Sequence, residues 1–116
     1  MKTYFGFAIS PTMFPDHCEI SKRVISADLA RQEVEAQAEA GQLVSCCNGA
    51  HVATVAAMRE RFGIDVPIHE RAPSVTLERG DQIIVMGVTG LPRESREYTA
   101  AEINAAKFVF SIFDVH

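Results

Sequence analysis

The run Gln82-Ile83-Ile84-Val85-Met86-Gly87-Val88 is almost continuously apolar. Such a run reads as a central strand, covered on both faces. A sheet must therefore form around it, with other elements packed over that sheet. Residues 3–9 and the stretch KFVFSIFDV at 107–115 are aromatic and β-branched, which predicts two further strands. Residues 18–25 predict a more polar strand at or near a sheet edge, and residues 43–47 a short apolar one. Residues 74–77 are also β-rich. Joined to the central run through Glu78-Arg79-Gly80-Asp81, they predict a hairpin with Gly80 at positive φ.

Helical spacing separates these strands. Ser26 is placed to cap a helix that carries Asp28 in its first turn and stops at Gly41, with Leu29, Val34 and Ala38 as a thin apolar stripe. Asn48 is the expected cap of a second helix, whose apolar face is Val52, Val55, Met58 and Phe62 and whose end is Gly63. Thr99-Ala100-Ala101-Glu102 has the capping-box pattern and opens a short third helix. The order β, β, α, β, α, β, β, α, β lacks regular βαβ alternation. It predicts one α+β domain over residues 1–116: a mixed sheet of about five to six strands, with two main helices and one short helix packed on it.

Composition narrows the function classes. A chain of 116 residues, 47% hydrophobic with mean hydropathy +0.06, fits a single packed core. Its 15 acidic against 11 basic residues give a net charge of -4, which disfavours general binding to duplex nucleic acid. The three cysteines, Cys18, Cys46 and Cys47, form no CxxC pair and read as reduced thiols. No run approaches the ~20 apolar residues of a membrane span, and MKTYFGFAIS is too short and strand-like for a signal peptide. The expectation is a cytoplasmic protein, in the host cytoplasm if the chain is viral.

No HxH, HExxH or paired Cys/His spacing occurs, so neither a metal site nor a cofactor is expected. His51 stands apart from the other histidines, His17, His69 and His116, by its setting. A strand, the Asn48-Gly49 turn and a helix start meet there, and free backbone N–H groups with the positive end of a helix dipole suit a bound phosphate. An imidazole in the first turn could then give a proton to a leaving oxygen. The plainer alternative is a residue that merely caps or packs that turn. Arg93 and Arg96 could hold a phosphate or lie in a solvated loop, where Glu94 and Glu97 partly cancel their field.

The chain also resembles a known family. Gly49-Ala50-His51-Val52-Ala53-Thr54, Val66-Pro67, Gly80-Asp81, Ile83-Ile84-Val85, Leu91-Pro92 and Thr99-Ala100-Ala101-Glu102 follow one another as in the viral type III anti-CRISPR ring nucleases. Ala8-Ile9-Ser10-Pro11-Thr12-Met13 is similar to that family's first strand and its Ser-containing loop. The resemblance implies a homodimer that binds cyclic tetra-adenylate across its two-fold axis and cuts it without metal, disarming an antiviral signal. In that family a ribose 2′-hydroxyl attacks the adjacent phosphorus and a histidine, matched by His51, protonates the leaving 5′-oxygen. By this resemblance the Ser10 to Met13 loop, with Ser10 and Thr12, and by a looser match Arg71 would contact the ligand, while Asn48 and Gly49 would contact it as the phosphate-shaped helix start. The family's site arginine falls on Gly90 and its acidic residue on Arg93, so Arg93 and Glu94 would serve through a one-residue shift. The alternatives are a nucleotide-sequestering protein without turnover, and a viral structural or DNA-associated protein that shares only the fold.

Overall fold

A computed structural model describes residues 1–71, 73–91 and 98–116. Strand β1 (Thr3–Gly6) is followed by a 3-10 turn (Pro11–Met13), edge strand β2 (Ile20–Ile25), helix α1 (Ala27–Glu39) and strand β3 (Leu43–Ser45). Helix α2 (Val52–Phe62), strand β4 (Gln82–Thr89), helix α3 (Ala100–Ala105) and strand β5 (Lys107–Val115) complete the chain. The five strands form one mixed sheet in the order β2-β5-β4-β1-β3. Strand β1 pairs in parallel with both β3 and β4, while β5 runs antiparallel to both β4 and β2. The α+β class, the mixed sheet and the two long helices with one short one are as expected.

Strand β4 sits between β1 and β5, and its side chains split by the two-residue period of a strand. Ile84 and Met86 join Phe5, Phe110 and Ile112 against Ala30 and Val34 of α1 and Val55 and Met58 of α2. Ile83 and Val85 join Tyr4 and Val115 on the opposite face, under Met13, Phe14, Val75 and Leu77 from two loops. Helices thus cover one face and loops cover part of the other. Removing a large side chain such as Phe5 or Ile84 from water is worth about 1.5–3 kcal/mol, and both are fully buried.

Local signals set the helix ends. The Ser26 side chain accepts from Leu29 N, and Thr99 forms its capping box with Glu102. Gly41 and Gly63 follow α1 and α2 at positive φ, 73° and 66°.

Four expectations need correction. Residues 74–77 form no strand, so there is no hairpin into β4. Both edges of β4 are already taken by β1 and β5, and the segment instead buries Leu77 and bonds its N–H to Met13 O at 2.7 Å. Asn48 does not cap α2, and His51 lies not in the first turn but at the N-cap itself. Asn48 closes a tight turn instead: its Oδ1 accepts from Ala50 N at 2.9 Å. On α1 the buried stripe is Ala30 and Val34, four residues apart on the face turned to the core, whereas Leu29, 42% exposed, and Ala38, also exposed, lie off that face. On α2, Val52 is 63% exposed at the first turn, which overhangs the core.

Candidate functional site

Because β1, β3 and β4 are parallel neighbours, their carboxyl ends lie at one end of the sheet. Crevices outside such ends are where open sheets tend to bind ligands. Two loops leave this end: Phe7 to Met13 after β1, and Cys46 to His51 after β3. Between them and residues 73–75 lies a groove of about 360 Å³, lined by Phe7, Ser10, Thr12, Asn48, His51 and their neighbours. That volume is at the lower end of the range for small-ligand pockets.

Each polar group has a definite local role. Ser10 Oγ and Thr12 Oγ1 are hydrogen-bonded to each other at 3.0 Å on the 3-10 turn. Asn48 uses its carbonyl oxygen within its own turn, which leaves its amide NH2 as a donor at the groove. His51, exposed at the N-cap with φ -96° and ψ 61°, makes no side-chain capping bond. Its ring meets Phe7 in a T-shaped contact, with centroids 6.2 Å apart and planes at 90°. Phe7 is held in turn by Phe5, 6.4 Å away in the same geometry. An aromatic ladder thus runs from the core to the imidazole.

Among the described residues, the groove's lining contains no carboxylate, lysine or arginine. Its described lining therefore presents hydroxyls, an amide and an imidazole, with no described carboxylate to repel a phosphate. Cys46 also lines it, but burial pushes that thiol up to about 11. At neutral pH it is a protonated thiol and a poor nucleophile. Neither a described cluster of metal-ligating side chains nor a described helix long and apolar enough to cross a membrane occurs.

The structure brings Ser10, Thr12, Asn48 and His51 to one groove. Gly49 lies beside it in the chain, but its N–H is engaged by His69 O at 2.9 Å. Arg71 is exposed and outside the lining. Arg93 and Glu94 fall outside the described residues. Gly90, at the end of β4, has φ 82°, a left-handed conformation that suits glycine and not arginine. Sequence reading missed Phe7, Ala8, Cys46, Pro73, Ser74 and Val75 as lining residues. The parallel pairing of β1 with β3 places the first of these near His51, and no local pattern carries that information.

Fold and site together define a small α+β protein with an imidazole-bearing groove at the carboxyl end of three parallel strands. No protein-family model matches the sequence, and no curated protein matches it. Among solved structures, the fold is similar to B116 of Sulfolobus turreted icosahedral virus, with a TM-score of 0.75 over 98% of this chain and 99% of that one. Sequence identity between the two is 17%, so the likeness is one of fold.

Proposed function

We propose that this protein binds a cyclic oligonucleotide second messenger of the cyclic oligoadenylate type in this groove and cleaves it without metal. The observation that carries the proposal is the meeting of His51 with Ser10, Thr12 and Asn48 in a groove without a described carboxylate. The groove offers a proton donor and hydrogen-bond donors, but its own thiol is held protonated and its hydroxyls lie on an exposed turn. That set suits a substrate that brings its own nucleophile. The ribose 2′-hydroxyl gives up its proton to solvent as its oxygen attacks the adjacent phosphorus, the bond from phosphorus to the 5′-oxygen breaks, and His51 gives that oxygen its proton. The products carry a 2′,3′-cyclic phosphate and a 5′-hydroxyl.

A homodimer, with the ring seated across two copies of the groove, completes the proposal. So does a role in countering antiviral signalling from the host cytoplasm, in keeping with a structural neighbour that is a virus protein. The test is incubation with cyclic tetra-adenylate in EDTA, with chromatography for linear products. Wild type yields cyclic-phosphate ends and His51→Ala does not; turnover that survives the substitution removes His51 from the mechanism.

One observation favours a second reading, sequestration without turnover. Gly90 occupies the position of the family's site arginine in a backbone conformation that disfavours any side chain. Tight binding with the ring recovered intact selects that reading. Absence of ring binding, together with a gel shift of duplex DNA at physiological salt, selects a DNA-associated protein sharing only the fold, against the net charge of -4.

A further inference from the structure

We infer that His69 is a positioning residue, a clasp that fixes the turn presenting Asn48 and His51 to the groove. This rests on the proposed reading of that groove. Strand β3 ends at Ser45, and Cys46 N makes a further bond, to Phe5 O, at 2.8 Å. Beyond it the chain must turn and enter α2 at Val52, with His51 at the junction. The segment Pro67 to His69 lies along this stretch and grips it repeatedly. Ser45 Oγ donates to Pro67 O. His69 N donates to Cys47 O and Gly49 N donates to His69 O, both at 2.9 Å, bracketing Asn48 in an isolated parallel bridge. The His69 ring reaches back to Ser45 O, with Nε2 at 2.9 Å.

A carbonyl only accepts, so Nε2 must carry the proton in that bond. An Nε2–H is present in one neutral tautomer and in the imidazolium, so the grip persists in either charge state. One residue therefore holds Ser45, Cys47 and Gly49, spanning the turn up to two residues before His51. A displacement of about 1 Å at a reacting group can cost on the order of 100-fold in rate. A clasp at this point thus acts on catalysis without touching the ligand.

The test compares His69→Gln with His69→Asn. A glutamine amide places an N–H near the position of Nε2, whereas the asparagine amide is one methylene too short to reach Ser45 O. Two readouts are needed: kcat and KM for cyclic tetra-adenylate, and hydrogen exchange at the Gly49 amide. H69Q keeps kcat within about twofold of wild type and leaves Gly49 protected. H69N loses about tenfold or more in kcat, with a smaller change in KM, and exchanges Gly49 about tenfold faster. Should H69N fail to fold, H69M, which fills the space without an N–H, takes its place. Wild-type kcat and wild-type exchange in H69N, or in H69M where it replaces it, overturn the assignment, as does an equal loss in H69Q. If wild type itself does not cleave, the reading of the groove fails, while the exchange comparison still decides the clasp.

Discussion

The paired cysteines give a sharp test of the packing beside the groove. Cys46 is half-buried and Cys47 is 1% exposed, and both are free thiols. Desolvation by burial pushes each thiol from 9.0 up to about 11, opposed at Cys47 by the hydrogen bond with Ser45. Between those values the unfolded chain releases these protons and the folded chain keeps them. The unfolded state then binds fewer protons, so stability falls as pH rises from about 9 to about 11. Keeping a fully buried thiol protonated through that interval is worth about 3 kcal/mol. That figure stands for Cys47, and the partly exposed Cys46 contributes about half as much after solvent screening. By pH 10.5, short of the full titration, the expected loss from the two thiols is about 3 kcal/mol, a large part of the ~5–15 kcal/mol that holds a domain folded. The assay is urea denaturation under reducing conditions at pH 8 and pH 10.5, for wild type and for the Cys46→Ser/Cys47→Ala variant. Tyr4, whose phenol is raised by burial, by Asp81 and by Cys46, also destabilises both proteins at high pH, and the part due to Cys46 is removed with the thiols in the variant. Wild type should lose markedly more stability than the variant across that interval. Parallel losses would refute the claim that these thiols are held neutral by the fold.

Two further outcomes bear on the groove. His51→Asn should abolish ring cleavage while raising stability by about 0.5 kcal/mol in thermal or urea unfolding, because asparagine is a preferred N-cap and His51 makes no capping bond. A cyclic tetra-adenylate with 2′-deoxyribose throughout should bind with less than about tenfold loss of affinity, the worth of a hydrogen bond or so. It should not be cleaved, and turnover of that ring would show that the nucleophile comes from the protein or from water.

Local rules made much of this fold legible, and long-range pairing made the rest opaque. Ser26, Thr99, Gly41 and Gly63 act within a few residues of themselves, so their roles could be read directly. The apolar run of β4 could be read as central because both its faces needed cover. Residues 74–77 look like a strand for the same physical reason: Val75 and Leu77 do bury one face. Whether they pair depends on a free edge, and β4 has none once β1 and β5 are in place. The candidate site divides in the same way. The turn and helix start at Asn48 to His51 stand out in the sequence. Their meeting with Phe7, Ser10 and Thr12 depends on β1 and β3 being parallel neighbours, across about 35 intervening residues that no local period can bridge.

The three helix starts argue that position 51 answers to something other than helix stability. Helix α1 begins at Ser26 and α3 at Thr99, and each side chain accepts a backbone N–H of its first turn. Helix α2 begins at a histidine that accepts none and turns its ring to Phe7 and the groove. Chains tend to break local rules at functional positions and to compensate nearby. The compensation here is visible: Asn48 closes the turn onto Ala50, and His69 bonds to Ser45, Cys47 and Gly49. With the backbone before α2 held from outside, the N-cap side chain is no longer required as a cap. It is the one imidazole in the described lining. Capping by His51 would have made the imidazole part of the scaffold; under the proposed reading, the clasp leaves it available for chemistry.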